Sequence, residues 1–398
     1  MDLLGQEPQK KQKTNGQKVV LMLLITSIVL SIFIIIMIFA LQGNKTKTLG
    51  LNIDGKDVQI TQNMLISDES GVNYISLQQL STSIGYNYLR GGYGEYAEDE
   101  TKCYLESQSQ VIGFEADSNK IYKTTQNSET DYEYYTLNNK IIQSNGILYI
   151  ALDDLTVGCN LVCTFSNEQY KILINTPEHL SKGYVTTFTE KGLTIDTDIQ
   201  NKKAIVYNMV VVSNENGKLG VVDTKANTVI GQKYTTMKFD EFSQRFIVSN
   251  NNRYGIVSKE GSIIAELKYE NVRIINYSPL LYEVKLNNKV GVLDEKGNLI
   301  VNIAFDKLGF SENSNLTEPT LIINNLTNNQ DAMVVYTEGK YGLVSLTTGQ
   351  MIVNCELEKI YSRTDNSGLK KYYVQLQNTE IELARYIQDI NTTTVVTN

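Results

Sequence analysis

A short phrase recurs four times in the second half of the chain and constrains its fold more than any other feature. The glycines of the four copies are 35, 36 and 51 residues apart. A period in the mid-thirties is typical of a repeat array, in which each unit buries its apolar face only against its neighbours. The copies read NGKLGVVD at 216–223, NNRYGIVS at 251–258, NNKVGVLD at 287–294 and EGKYGLVS at 338–345, with the repeat-defining glycines Gly220, Gly255, Gly291 and Gly342.

The pattern continues past each phrase. A turn follows the glycine by six or seven residues, an apolar pair comes next, and a large apolar residue lies 14 or 15 residues past the glycine. This spacing predicts three short strands per unit, with the glycine at a bulge or where two backbones approach closely. The polar stretch 312–330 is an insertion that explains the one long interval. The large apolar residues are Tyr234, Tyr269, Phe305 and Leu357.

The spacing over 216–361 resembles the WG repeat of bacterial proteins. The tryptophan that names that repeat is replaced in all four units, by Leu219, Tyr254, Val290 and Tyr341. The resemblance implies an all-β array used for interaction, without catalytic residues to carry over. We therefore expect an all-β repeat domain over 183–398, either propeller-like or an open solenoid, with a degenerate unit at 183–212 and a closing segment at 370–390.

The N-terminal segment predicts a membrane anchor. Residues 19–41 contain 23 uncharged residues, which as a helix would measure about 35 Å at ~1.5 Å per residue and would span a bilayer. More lysines precede the segment than follow it, which favours a cytoplasmic tail at 1–18 and places the C-terminal bulk outside the cell membrane. The expected fold class is thus mainly β: one transmembrane helix, a small α+β domain and an all-β array.

Residues 49–175 twice show a strand–turn–strand–helix pattern. Asp54-Gly55 and Asn145-Gly146 are type I′ hairpin signals, and Tyr-hydrophobe-x-Leu precedes each helix, at 74–77 and 149–152. The pattern resembles the domain named after the N-terminal part of copper amine oxidases, which serves as a stalk in surface proteins. A copper amine oxidase site needs three histidines and this chain has one, His179. Residues 176–182 are the expected linker.

The cysteines indicate neither a metal site nor a redox motif. No C-x-x-C pair occurs, and His179 is far from every cysteine in sequence, so we expect no metal and no cofactor. The pattern leaves two alternatives open: a disulfide from Cys103 to Cys159 or Cys163, or four free thiols including Cys355.

Candidate catalytic residues are sparse. His179 lies in the expected linker, and Ser367 with Lys370 lacks the companion motifs of penicillin-binding enzymes. Carboxylates could serve glycoside hydrolysis if they were paired across a cleft, but turns and solvated faces explain them better. Asp223 and Asp294 recur at one repeat position, which predicts a turn hydrogen bond. The acidic candidates are Glu98-Asp99-Glu100, within the loop 90–100, Asp153-Asp154, and Asp196 with Asp198.

The net charge of −8 and the absence of a Lys/Arg cluster with interleaved aromatic residues argue against a nucleic-acid partner. The favoured hypothesis is a membrane-anchored, outward-facing binding or scaffold protein, not an enzyme, that presents the array to a protein or cell-wall glycan ligand. Two alternatives remain open. One is a carboxylate-dependent cell-wall hydrolase, and the other is a subunit of a membrane sensor complex.

Overall fold

The computed structural model describes residues 48–91, 99–107, 110–125, 133–309, 321–327, 330–364 and 369–396. The chain divides into two compact units, Met1–His179 and Leu180–Asn398. We call them the N-terminal unit and the repeat unit, and each is considered by itself below.

The N-terminal unit contains three sheets in its described part. Two have four strands each, in the orders β12-β13-β1-β2 and β10-β11-β4-β3, and the third is the five-stranded meander β5 to β9. The strands are β1 (Gly50–Ile53), β2 (Lys56–Val58), β3 (Leu65–Ser67), β4 (Asn73–Ser76), β5 (Asn87–Arg90), β6 (Lys102–Glu106), β7 (Gln110–Glu115), β8 (Lys120–Thr125), β9 (Glu133–Thr136), β10 (Ile142–Ser144), β11 (Ile147–Ala151), β12 (Val162–Ser166) and β13 (Lys171–Asn175), and the helices are α1 (Leu77–Ile84), the 3-10 helix Leu152–Asp154 and α2 (Leu155–Cys159).

The two strand–turn–strand–helix passes pair with each other. Strand β1 runs parallel to β13, with Leu51 opposite Ile172, and β4 runs antiparallel to β11, with Ile75 opposite Ile150. These four side chains are at most 3% exposed. Both copies of the strand–turn–strand–helix pattern therefore contribute residues to the buried core of the N-terminal unit. The predicted hairpin turns are confirmed, because Asp54-Gly55 and Asn145-Gly146 have positive φ at both positions.

The helix ends follow local capping chemistry. Ser76 caps α1 by accepting from the backbone N–H of Gln79, and Gly85 ends it in the left-handed conformation with φ 77°. The second helix ends at an asparagine and not at a glycine. Gly158 lies inside α2, and Asn160, with φ 55°, takes the left-handed position, which asparagine tolerates better than most residues.

The meander β5 to β9 was missed by the sequence analysis. It occupies the interval between the two passes, of which only the loop 90–100 had been singled out, and residues 92–98 of that loop lie outside the described part. Ile112 and Phe114 of β7 are buried, and the edge-to-face rings of Tyr104 and Tyr122 lie 5.8 Å apart on this sheet.

The expected linker at 176–182 contains the division between the two units, after His179, and it is helical from Pro177 on. Helix α3 (Pro177–Glu190) starts at a proline, which suits the first helical position because its missing N–H needs no partner there. Tyr184 and Phe188 are four residues apart on this helix, their rings stack at 5.7 Å, and Phe188 is fully buried. The expected degenerate repeat unit at 183–212 therefore begins in a helix, with Tyr184 and Phe188 as an i, i+4 pair.

The repeat unit consists of five successive antiparallel sheets in its described part, which we call sheets 1 to 5. Four contain a four-strand meander, not the predicted three strands per unit, and sheet 5 has three strands. Sheet 1 consists of β14 (Thr194–Ile195), β15 (Val210–Ser213), β16 (Leu219–Val222) and β17 (Thr228–Tyr234), and sheet 2 of β18 (Thr236–Asp240), β19 (Arg245–Asn250), β20 (Arg253–Ser258) and β21 (Ile263–Tyr269). Sheet 3 consists of β22 (Asn271–Tyr277), β23 (Leu280–Leu286), β24 (Lys289–Leu293) and β25 (Leu299–Phe305), and sheet 5 of β31 (Lys359–Thr364), β32 (Lys370–Leu376) and β33 (Thr379–Glu382). Sheet 4 consists of β26 (Lys307–Leu308), the extra strand β27 (Ile322–Thr327), β28 (Gln330–Thr337), β29 (Lys340–Ser345) and β30 (Met351–Leu357).

Each repeated phrase forms the turn before the third strand of a sheet and that strand itself. The large residue of the third strand pairs with the large residue that ends the fourth, as Tyr254 does with Tyr269. Between such pairs the register shifts, because the fourth strand bulges. The repeat-defining glycines lie opposite this bulge, where the neighbouring backbone leaves no room for a side chain.

The cores lie between successive sheets, as expected for a repeat array. One cluster joins Tyr234 of sheet 1 to Phe246 of sheet 2, and the next joins Tyr269 of sheet 2 to Tyr282 of sheet 3. Helix α3 covers the outer face of sheet 1 through Phe188.

The C-terminal segment closes the core at the other end of the array. Helix α5 (Leu383–Val396) follows β33 directly and packs through Leu383 and Ile387 against Ile360 and Val374 of sheet 5. It occupies the part of the chain where a fourth strand would come. Two shorter helical segments precede β15, namely α4 (Ile199–Lys202) and the 3-10 helix Lys203–Tyr207.

The predicted fold class has to be corrected in its membrane-spanning helix. No helix in the described part of the chain is long and apolar enough to cross a membrane. The longest ones there, α3 and α5, have 14 residues each, or about 21 Å at ~1.5 Å per residue, against roughly 30 Å of hydrocarbon core. The segment 19–41 itself lies outside the described residues. The described chain is mainly β, with helices inside the predicted all-β array.

Candidate binding face of the last sheet

The structure shows the four cysteines as free thiols. Cys103 in β6 and Cys159 at the end of α2 are buried, and burial raises the pKa of each thiol to about 12. Burial also raises the pKa of Cys163 to about 12. These thiols are therefore protonated at neutral pH, which makes them poor nucleophiles and poor metal ligands.

The acidic candidates for catalysis hold local backbone instead. Asp154 is 1% exposed and accepts from the backbone N–H groups of Asn138 and Asn139, at 2.8 and 2.9 Å. Asp99 accepts from the backbone N–H of Thr101, and Asp198 caps α4. Asp196 accepts from the side-chain amide of Asn201. A carboxylate held in this way serves folding.

The recurring acids of the phrase make the predicted turn hydrogen bonds. Asp223 Oδ1 accepts from the N–H groups of Lys225 and Asn227, each at 2.8 Å. Asp294 repeats the arrangement two sheets later. Ser258 and Ser345 stand at the same position in the other two units and use the hydroxyl oxygen as acceptor. The prediction from the sequence is confirmed, and the serines are chemically equivalent replacements at this turn.

The remaining candidates do not meet. His179 lies beside the hairpin turn at Gly55, where an added Cβ would come within 3.0 Å of the imidazole Cε1. Lys370 begins β32, and Ser367 lies outside the described residues. The structure therefore gives no Ser–Lys or histidine-based constellation in its described part.

The outer face of sheet 5 differs from the corresponding face of sheet 2 in what packs on it. In sheet 2 the position of Ile247 is covered, since this side chain packs against the core shared with sheet 3. Tyr373 has the same register position in sheet 5, where helix α5 packs on the opposite face with Val374. Among the described residues no sheet follows sheet 5 in the chain, so no successor sheet is described on the face of Tyr373.

Four side chains on this face form a compact cluster, which we call the Tyr–Arg cluster: Tyr361, Arg363, Tyr373 and Glu380. The two rings stack with centroids 6.0 Å apart and planes 25° apart. The Arg363 guanidinium carbon lies 5.1 Å from the centroid of each ring, so one cation contacts two aromatic faces.

Glu380 fixes the arginine in the Tyr–Arg cluster. Its two carboxylate oxygens accept from Arg363 Nη1 at 2.9 Å and Nη2 at 2.7 Å, and they also accept from the Tyr361 hydroxyl. Bidentate pairing of this kind sets the orientation of a guanidinium as well as its charge. The side chains of Arg363 and Glu380 are 43% and 41% exposed, so the cluster is ordered but open to a ligand.

Contacts within the cluster shift the pKa values of Glu380 and Arg363 in the directions that favour their charged forms. The hydrogen bond from Tyr361 and the pairing with Arg363 hold the pKa of Glu380 below its ordinary value. The hydrogen bond to Glu380 raises the pKa of Arg363. Burial, together with the neighbouring carboxylate, raises the pKa of Tyr361 to about 12. At neutral pH Arg363 is therefore a cation, Glu380 an anion and Tyr361 a neutral phenol.

Sequence reasoning missed this face because the fifth unit departs from the phrase. Val374 is opposite Ile381 in sheet 5 as Val248 is opposite Gly255 in sheet 2, so an isoleucine replaces the repeat-defining glycine. A signal was nevertheless present. The turn Gln377-Asn378 has positive φ at both positions, as Asn251-Asn252 does, and its second residue is asparagine as in the turns at 251–252 and 287–288.

Comparisons with known proteins agree with the repeat but go no further. No curated protein matches the chain in sequence. Among matching solved structures, the crystal structure of a nidogen/laminin complex has 10% identity over 70% of this chain and 90% of that chain. Its TM-score of 0.19 is too low to support an argument about fold or function. Residues 254–289, from strand β20 to the start of β24, match the family model of the WG containing repeat, and the chain therefore carries at least one repeat of this kind.

Proposed function

We propose that this chain is a β-repeat binding or scaffold protein and that the Tyr–Arg cluster on sheet 5 is where its ligand binds. The observation that carries the proposal is the stack of Tyr361, Arg363 and Tyr373 on the outer face of the last sheet that the structure describes. Tyrosine and arginine are the residue types that concentrate binding energy at interfaces.

The geometry of the cluster favours binding for a second reason. The two rings and the guanidinium are already held in place by Glu380, so little side-chain entropy is lost when a ligand arrives. The rings offer apolar area, while the exposed edges of Arg363 and Glu380 offer a donor and an acceptor. A protein or a cell-wall glycan meets these requirements.

The hydrolase alternative receives no support from the described residues, because the acidic candidates hold local backbone. The N-terminal unit suits the role of a spacer. Its resemblance to the N-terminal domain of copper amine oxidases stays a prediction, as does the location of the chain outside the cell.

The test is cosedimentation of the purified chain with cell-wall sacculi at low and high salt. A variant with Tyr361→Ala and Tyr373→Ala removes the stack. Tyr134→Ala is the matched control, since Tyr134 is 65% exposed on strand β9 of the other unit. We expect salt-resistant pelleting that falls at least tenfold in the double variant and persists in the control.

A protein ligand would give a different result in the same system. The chain would then fail to pellet, and a photo-crosslinker placed at Gln375, beside Tyr373, would give a discrete adduct in cells that is lost in the double variant. Pelleting and crosslinking that are both unchanged by the double variant would contradict the proposed function of this face.

A further inference from the structure

The N-terminal unit contains a cleft that the proposed function does not use. It has a volume of about 430 Å³, within the range of small-molecule sites. The cleft lies beside helix α1, where the chain leaves edge strand β2 and approaches edge strand β3. Its lining residues are Val58, Gln59, Thr61 and Met64 from that connection and Gln78, Gln79, Thr82 and Ser83 from the helix.

All eight lining residues are uncharged. Three are glutamines, three carry hydroxyl groups, and the two apolar residues are Val58 and Met64, the latter only 2% exposed. A charged ligand would find no counter-ion in such a cleft, because carboxylates and ammonium groups need a partner when they leave water. A neutral ligand with several hydrogen-bonding groups fits the lining better.

Two hydroxyl groups of helix α1 donate hydrogen bonds to the backbone of the helix itself. Thr82 Oγ1 donates to the carbonyl oxygen of Gln78 at 3.1 Å, and Ser83 Oγ donates to that of Gln79 at 2.9 Å. Each hydroxyl thereby uses its only hydrogen on the helix and retains acceptor lone pairs for the cleft. A ligand at this helix face must therefore bring hydroxyl or N–H donors.

The glutamines supply the complementary groups. Thr61 Oγ1 donates to Gln79 Oε1 at 3.1 Å, which orients this carboxamide across the cleft with its two N–H groups on Nε2 as donors. The side chains of Gln59 and Gln78 each add a carboxamide, which offers two N–H donors and one carbonyl oxygen as acceptor. A carboxamide pairs in both directions with a secondary amide, since each offers an N–H and a carbonyl oxygen.

We propose that this cleft binds an uncharged N-acetylated sugar. The sugar hydroxyls donate to Thr82 and Ser83, the acetamido group pairs with Gln79, and the apolar face of the pyranose ring lies over Val58 and Met64. An extended peptide is the less suitable occupant, because β2 and β3 have three residues each and offer few backbone groups for strand addition.

The test is calorimetric titration of the full chain with tri-N-acetylchitotriose. Saturable binding is expected, weakened at least tenfold by Gln79→Leu, which preserves the size of the side chain but removes the amide. Gln169→Leu is the matched control, an exposed glutamine of the same unit outside the cleft. Thr82→Val, which removes a hydroxyl acceptor, provides an independent variant if Gln79→Leu fails to fold by circular dichroism.

Two further titrations make the result decisive. A fully deacetylated trimer lacks the acetamido group, and we expect it not to bind. A blocked trialanine peptide carries the same amide chemistry without sugar hydroxyls, and equal binding of this peptide would overturn the sugar assignment. Absence of chitotriose binding, or binding that both cleft variants retain, would overturn the proposal as a whole.

Discussion

Gly255 lies so close to the backbone of Ala265 that a Cβ added to the glycine would come within 2.5 Å of the alanine carbonyl oxygen. The same close approach recurs in the third and fourth sheets. A Cβ added to Gly291 would lie 2.6 Å from the carbonyl oxygen of Val301, and one added to Gly342 would lie 2.8 Å from that of Val353. The bulge in the fourth strand brings the two backbones together, and the repeated glycine is its steric consequence.

Replacement of Gly255 by alanine should therefore destabilise the repeat unit. The new methyl group meets backbone atoms on a paired strand, which cannot move away as a side chain can, and overpacking of this kind costs about 1–3 kcal/mol. Urea unfolding measures the change. Gly231→Ala is the control, because an added Cβ there has no atom within 4 Å. Equal loss of stability in both variants would disprove the steric explanation.

A second prediction concerns adjacent acids in the N-terminal unit. Asp154 is buried and accepts from the backbone of Asn138 and Asn139, whereas Asp153 is exposed. Asp154→Ala removes two hydrogen bonds between a buried carboxylate and backbone N–H groups, and hydrogen bonds to charged groups contribute about 1.5–3 kcal/mol each. Asp153→Ala should change the unfolding free energy by less than about 0.5 kcal/mol, as exposed substitutions do. Similar unfolding midpoints for the two variants would refute the structural role of Asp154.

The sequence predicts the array well where the constraint is periodic and local. The phrase, the turn acids and the large residues at positions such as Tyr254 and Tyr269 each reflect one hydrogen bond or one contact that must recur in every sheet. The strand count per unit was wrong because the first strand, for example β18 at Thr236–Asp240, follows the large residue of the previous unit almost without a break. A single turn residue, Thr235, separates them, so the sequence shows no boundary there.

The candidate site could not be predicted because it depends on contacts that sequence period does not encode. Tyr361 and Tyr373 are 12 residues apart and meet only through strand pairing. Ile381 stands in place of the repeat-defining glycine, so the fifth unit is not recognisable from the repeated phrase. A sheet without a bulged fourth strand does not need glycine at that position. The cleft beside α1 likewise combines residues from a loop and a helix that only the fold brings together.

The buried thiols provide a test of the N-terminal unit by chemistry. Burial raises the pKa of Cys103, Cys159 and Cys163, so each should resist alkylation in the folded chain at pH 8, because only the thiolate reacts. Labelling with iodoacetamide followed by mass spectrometry reports each site separately. We expect slow labelling of all three that becomes fast in denaturant. Mass loss of 2 Da per pair and no labelling even in denaturant would instead reveal a disulfide.

The Tyr–Arg cluster should weaken in acid, and the direction follows from the pKa of Glu380. Hydrogen bonds from Tyr361 and Arg363 hold this pKa below its ordinary value of 4.5, so the folded state binds a proton less readily than the unfolded chain. The stabilisation by the ionised carboxylate is present above pH 4.5 and is lost as the pH falls through the lowered pKa. In Glu380→Gln this contribution is absent at every pH. The difference in unfolding midpoint between the two proteins should therefore be largest near pH 7 and vanish near pH 2, and a difference that is independent of pH would show that the Glu380 charge does not stabilise the cluster.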